Sequence, residues 1–249
     1  KLVTKIIKKA IIIHFKVRIL FFKNLDMFSR HLKWILLFVL ALIWGSSFIL
    51  IKRGLIGLTP YQLGSLRIIF ATIFLLLIGF KSLATIPHTK WKYIALTAFV
   101  GTFMPVYLFS IAETEISSSI AAVLNSLTPL GALVIGVLAF GLQVQRRQIY
   151  GVFIGLIGSI SLILNGAANN PDQNYLYALL VVFAAFCYSL NVNLIKKYLS
   201  DVKPIAITAG NFVVLLIPAL LVLFSTDFVA DVVRSEVQHA MLYIIILGT

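Results

Sequence analysis

Residues 34–51 read WILLFVLALIWGSSFILI, eighteen positions without a charge, closed by Lys52 and Arg53. A hydrocarbon core about 30 Å thick is crossed by about 20 apolar residues in a helix. A membrane β-strand needs only about ten and alternates apolar with polar side chains. The stretch does not alternate, so it reads as a membrane helix. Six further runs of this kind follow at 61–80, 93–111, 118–140, 149–164, 175–195 and 205–224. An eighth begins near Ala240 and reaches Thr249, ten residues that are too few to cross as a helix. The natural protein is therefore expected to continue, and the fold class is an all-α polytopic membrane protein.

Composition agrees. The 249 residues are 61% hydrophobic and 12% charged, against about 45–50% and about 25% in soluble domains. The net charge of +13 raises nucleic acid as a partner, but the basic residues stand at the ends of apolar runs, not along one face. A nucleic-acid role is not expected, and the lipid bilayer is the expected surroundings. Cys187 is the one cysteine, so no disulfide forms within the chain.

Lysine and arginine set an orientation. Nine lie at or before Lys33, and the same side takes Lys81, Lys90, Lys92, Arg146, Arg147, Lys196, Lys197 and Lys203. The other side holds Lys52, Arg53 and Arg234. Basic loops stay inside, which predicts a multi-pass protein of the cell inner (plasma) membrane with a cytoplasmic N-terminus. Residues 1–32 form a basic N-terminal extension. Met27 reads as the natural start, with a leader or stray extension before it; a basic helix on anionic lipid is the alternative.

A shift of 144 residues aligns the chain with itself. Ala41, Leu50, Ile51, Lys52, Leu55 and Pro60 meet the identical Ala185, Leu194, Ile195, Lys196, Leu199 and Pro204. Trp44 meets Tyr188, Ser47 meets Asn191, and Arg67 meets Asn211. With three more residues of offset, Gly101-Thr102 meets Gly248-Thr249. An odd number of five helices per unit turns the second unit upside down, the inverted repeat of many secondary transporters. Repeat 1 covers 33–164 and an incomplete repeat 2 covers 173–249. Ten membrane helices are expected, of which about eight are present.

Trp44-Gly45-Ser46-Ser47-Phe48, Leu66-Arg67 and Ser126-Leu127-Thr128-Pro129-Leu130, in that order and spacing, resemble the drug/metabolite transporter superfamily, EamA type. The resemblance runs from residue 32 to residue 249. It implies ten helices in two inverted units, a central cavity and export of small metabolites or amino acids. Members often carry Gly-Glu after the fourth helix, whereas here Leu142 follows Gly141, so no acidic role is expected at that loop.

Candidate substrate-binding residues follow from polar groups at membrane depth. An intramembrane charge is costly and functional by default, which singles out Arg67; a snorkelling anchor is the structural reading. Ser118, Ala121, Asn125, Thr128 and Ala132 share one helical face, so Asn125 and Thr128 are expected to line a cavity, with helix packing as the alternative. Trp44 and Ser47, superposed on Tyr188 and Asn191, present an aromatic beside a short polar group from each unit, and Asn211 is Arg67's counterpart. Pro105, Pro129 and Pro218 each leave a carbonyl unbonded and are candidate hinges or kinks. Gly151, Gly155 and Ser159 form a small-residue row for packing within the bundle or in a homodimer.

Catalytic, metal and cofactor chemistry is not expected: the histidines lie outside the runs or at their edges, and no acid lies within one. Glu113 and Glu115 read as loop residues. The function expected is a secondary transporter for a small-molecule substrate, a metabolite or amino acid, by alternating access. The alternative is a flippase for lipid or lipid-linked substrate. Without an acid in the runs, facilitated exchange or export is expected, or proton coupling through helices beyond Thr249.

Overall fold

A computed structural model describes residues 32, 34–143, 145–169, 173–231 and 234–247. The expectations placed on residues 1–31 and on the Gly248-Thr249 match lie outside the described residues. The chain divides into two compact units, Lys1–Ser46 and Ser47–Thr249. The boundary falls inside α1, Trp34–Gly54. In the first unit the described residues from Trp34 onward are helical, and Ser46 Oγ donates to the carbonyl of Ile43 at 3.0 Å.

The second unit is also helical, with no strand among the described residues. It contains α2 Pro60–Leu83, α3 Trp91–Ala98, α4 Met104–Glu115, α5 Ser118–Asn125, α6 Thr128–Phe140, α7 Arg146–Asn169, α8 Ala178–Tyr198, α9 Pro204–Phe224, α10 Phe228–Asp231 and α11 Ser235–Leu247. Among the described residues seven helices are long and apolar enough to cross a membrane. They match the seven runs in the sequence; the fourth keeps the same ends and the other six extend farther at one end or both. The third is the most extended: His88–Glu115 forms one span, in which a π-helical turn at Phe99–Phe103 joins α3 to α4.

Local chemistry explains the ends. Thr59 caps α2 reciprocally: its Oγ1 accepts from the Gln62 amide at 3.3 Å, and Gln62 Oε1 accepts from the Thr59 amide at 3.0 Å. Pro60 and Pro204 occupy first-turn positions, where a missing N–H costs nothing. α6 ends at Gly141, in the left-handed region at φ 64°. There the Leu142 amide returns to the carbonyl of Gly136 at 2.9 Å, a glycine-dependent stop. Gly141 thus has a structural task, and no acid is needed beside it.

The fourth span is two helices, not one. α5 ends at Asn125 and α6 begins at Thr128. Pro129 denies the Asn125 carbonyl its helical donor, and the chain turns at Ser126 and Leu127. The expected single face from Ser118 to Ala132 is interrupted there. In α9, by contrast, Pro218 lies inside a helix that continues to Phe224. Pro105 stands in the first turn of α4, directly after the π-helical turn.

α2 packs along α9, and α8 is the hub for α4, α5 and α6. The core between them holds Leu63, Phe109, Ala121, Val181 and Ala184. Facing outward are large apolar side chains such as Leu77 at 80% and Leu138 at 81% exposure. Such surfaces are stable against lipid and not against water. Gly151 and Gly155 have open space where a Cβ would stand. Ser159, by contrast, is buried with its Oγ 2.7 Å from Ser126 Oγ. Within the unit, packing therefore uses only the Ser159 end of that row.

Candidate functional site

Polar groups that the helices carry into the core of the second unit collect where α1, α2, α4 and α8 meet. Arg67, two turns into α2, donates from Nη2 to Ser47 Oγ at 3.3 Å. Among the described residues this is its one side-chain hydrogen bond, which uses one of its five N–H donors. The guanidinium interacts electrostatically with Tyr188 on α8 and with Glu113 on α4. Beside it, Phe48 meets Phe109 edge-on at 5.5 Å, and Phe109 stacks on Tyr188 at 6.0 Å. Ser47, Arg67 and Tyr188, three of the predicted residues, are thereby brought to one place.

Glu113 is the residue the sequence reading missed. It lies inside the third span and is 0% exposed, which overturns its assignment to a solvated loop and the statement that the spans carry no acid. Its Oε2 accepts from Ser118 Oγ at 3.2 Å, while Oε1 is buried without a partner. No direct ion pair joins it to Arg67 among the described residues. The apolar run ends at Ile111, but the helix continues for another turn and its end is covered. The signal available in the sequence was the spacing: Phe109, Ala112 and Glu113 share a helical face, and the first two are core residues.

Lys52 is accounted for by the same corner. Its Nζ donates to the backbone carbonyls of Glu113 and Ile116, the orphan acceptors at the end of α4. A basic residue on the charge-poor side is thus fixed by a helix terminus.

The other predicted residues fall elsewhere. Thr128 Oγ1 donates to Asn125 Oδ1 at 3.2 Å, so this pair bridges the break between α5 and α6. Next to it, Ser189 Oγ reaches the carbonyl of Thr128 at 2.8 Å, and Asn193 Nδ2 that of Ala132 at 2.9 Å. Asn191 packs its amide against Gly101 in the π-helical turn, with Oδ1 buried and unpartnered. Asn211 is buried in α9. With its amide nitrogen turned inward it donates to Ile94 O at 3.0 Å, Ile207 O at 3.3 Å and Thr97 Oγ1 at 3.0 Å. Its polar capacity is therefore used by helix packing, and it does not join Arg67. Trp44 belongs to the first unit and is 65% exposed. No group of three or more potential metal ligands occurs among the described residues.

Residues 32–164 match the EamA-like transporter family. An "Uncharacterized transporter" of Archaeoglobus fulgidus is 26% identical over 208 residues, covering 82% of this chain and 69% of the relative. A "Probable amino-acid metabolite efflux pump" of Salmonella typhimurium is 25% identical over 166 residues, 67% of this chain and 54% of the relative. An "Uncharacterized inner membrane transporter" of Escherichia coli is 34% identical over 142 residues, 54% of this chain and 45% of the relative. The chain thus spans about half to two thirds of the length of these relatives. No solved structure matches. With more than half of its length matched by the family model and, among the described residues, seven helices long and apolar enough to cross a membrane, the chain belongs to the EamA-like transporter family, a multi-pass membrane protein of the drug/metabolite transporter superfamily.

Proposed function

We propose that this protein exports a small carboxylate-bearing metabolite, an amino acid or a close derivative, by alternating access, with its N-terminus in the cytoplasm. The observation that carries the reading is Arg67: a cation at membrane depth with one hydrogen bond among the described residues, to Ser47, and donors left over. A planar guanidinium with open donors suits a carboxylate, which it binds with two parallel bonds. Phe48, Phe109 and Tyr188 beside it supply an apolar wall for a side chain. The Salmonella relative's name, an amino-acid metabolite efflux pump, supports the substrate class and the direction. The basic residues of the loops support the orientation. The pairing of α2 with α9 supports the inverted repeat, because a two-fold axis brings equivalent helices together.

The test is counterflow in proteoliposomes. Vesicles carrying the protein are loaded with one unlabelled amino acid and offered the same amino acid labelled, through a panel of alanine, leucine, tryptophan, lysine and glutamate. Transient accumulation of at least one of them, lost in Arg67→Ala at equal protein content, is the expected result. No accumulation of any of them would refute the amino-acid reading.

A further inference from the structure

The connecting segments 81–92, 141–147 and 196–203 carry Lys81, Lys90, Lys92, Arg146, Arg147, Lys196, Lys197 and Lys203 against one acid, Asp201. That acid is spent. Lys90 Nζ donates to its carboxylate at 2.8 Å and to the carbonyl of Tyr198, also at 2.8 Å. Lys92 and Lys197 are exposed and make no ion pair among the described residues. Basic loops set an orientation in the membrane, which accounts for the number of lysines but not for where these two stand.

Tyr93, in the first turn of α3, and Tyr198, the last residue of α8, stack face to face with centroids 4.3 Å apart and planes 4° from parallel. Lys92 Nζ stands 5.0 Å from the centre of the Tyr93 ring. Lys197 Nζ stands 5.4 Å from the centre of the Tyr198 ring and 5.0 Å from that of Phe140, at the end of α6. A ring face attracts an ammonium and fixes its place, but it leaves the charge uncompensated. Two cations are thus held over one pair of rings, both without an anion.

Depth points to the anion. Trp91, Tyr93 and Tyr198 lie at the ends of spans, and such aromatic side chains collect at the headgroup level of a bilayer. Leu96 and Phe99 follow Lys92 by four and seven residues, on the same side of the third span, and both are exposed. An apolar strip therefore runs from the ammonium along the span. We propose that the Tyr93–Tyr198 corner binds an anionic phospholipid of the phosphatidylglycerol class, with Lys92 and Lys197 on its phosphate and its acyl chains along Leu96 and Phe99. Lysine binds phosphate as a point charge, and basic pockets between membrane helices take anionic headgroups. A free phosphate would use the lysines and leave the strip idle. Tyr93 lies near the start of the third span and Tyr198 ends the sixth, so the bound lipid ties these two spans together. The site is separate from the Arg67 cluster and does not depend on what is transported.

The test uses the purified protein in detergent, titrated with phosphatidylglycerol, with zwitterionic phosphatidylethanolamine of the same acyl chains, and with inorganic phosphate. Native mass spectrometry reads retained lipid, and thermal unfolding reads stabilisation. Phosphatidylglycerol is expected to be retained severalfold better than phosphatidylethanolamine and to raise the melting temperature by several degrees, with inorganic phosphate at the same concentration giving no such rise. Equal retention of the two lipids would overturn the proposal. So would stabilisation by inorganic phosphate equal to that by the lipid, which marks a site for the free anion.

Variants separate a built site from diffuse charge. Lys92→Gln combined with Lys197→Gln is expected to lose most of the preference for phosphatidylglycerol. Arg146→Gln combined with Arg147→Gln removes the same charge from the start of α7, which packs against α5 and α6, and is expected to keep the preference. Tyr198→Leu leaves every charge in place and is expected to weaken retention severalfold. Equal loss in the two glutamine pairs, or full retention in Tyr198→Leu, would overturn the proposal. Melting without lipid establishes that each variant is folded, and the exposed lysine pair carries the test if Tyr198→Leu is not.

Discussion

The ammonium of Lys52 donates to the backbone carbonyl of Glu113 and, at 3.2 Å, to that of Ile116. A cation from the end of α1 thus closes the carbonyl end of α4. A helix C-terminus attracts positive charge and has acceptors to spare. This contact also holds the Glu113 backbone in place while leaving its carboxyl oxygen Oε1 unpartnered.

Replacing Lys52 by methionine keeps the apolar stem and removes the donor. Hydrogen bonds to charged groups contribute about 1.5–3 kcal/mol, and a loss near the lower end is expected because the lysine is partly exposed. Thermal unfolding of the detergent-solubilised protein is the measurement. Lys52→Arg is expected to stay within a few degrees of the unmodified protein, and Lys52→Met to melt clearly lower. Equal melting of all three would show that the cap contributes nothing.

Gly131 is placed where α6 approaches α8. A Cβ there would run into the Ser189 side chain, whose hydroxyl bonds to the carbonyls of Thr128 and Ala185. Gly131→Val is expected to lower stability by about 1–3 kcal/mol, the usual cost of overpacking. Gly151→Val, at a site with open space, is expected to change little. The paired melting curves check the contrast, and a destabilisation of Gly151→Val as large as that of Gly131→Val would contradict it.

Asp201, in the turn between α8 and α9, forms an ion pair with Lys90 at 2.8 Å. The hydrogen bond from Lys90 is the main cause holding its carboxyl below the ordinary aspartate value, with its own backbone amide adding to the effect. A depressed carboxyl stabilises the fold above the ordinary aspartate range near 4 and loses that contribution as pH falls through the folded value. Asp201→Asn is therefore expected to be slightly less stable than the unmodified protein at pH 7, with the difference closing below about pH 4. Because the pair is exposed, about 1 M salt is expected to shrink the difference as well. A gap that widens in acid would reverse the assignment.

Span number and helix type were legible in the sequence, because eighteen uncharged residues admit few other structures. So was Arg67, since a charge at depth is conspicuous. Glu113 was not: hydropathy ends a run where the first charge appears, whereas the helix continued under cover of neighbours far away in sequence. The break at Ser126 and Leu127 was foreshadowed by Pro129 as a candidate kink, although the face drawn from Ser118 to Ala132 assumes one continuous helix. Asn211 matched Arg67 by position alone. Its three donor contacts, to Ile94, Ile207 and Thr97, depend on how α3 and α9 pack, which no local pattern encodes.

The central claim is that Arg67 receives the carboxylate of the substrate. The measurement that tests it most directly is competition in the counterflow assay at equal pH, between the transported amino acid and its amide, which keeps the ammonium and side chain but lacks the carboxylate. The account predicts that the free amino acid competes at least about tenfold better than the amide in the unmodified protein, as expected for a charge-assisted bidentate contact, and that Arg67→Gln abolishes this preference. Equal competition by the two in the unmodified protein, or a preference that survives in Arg67→Gln, would contradict it.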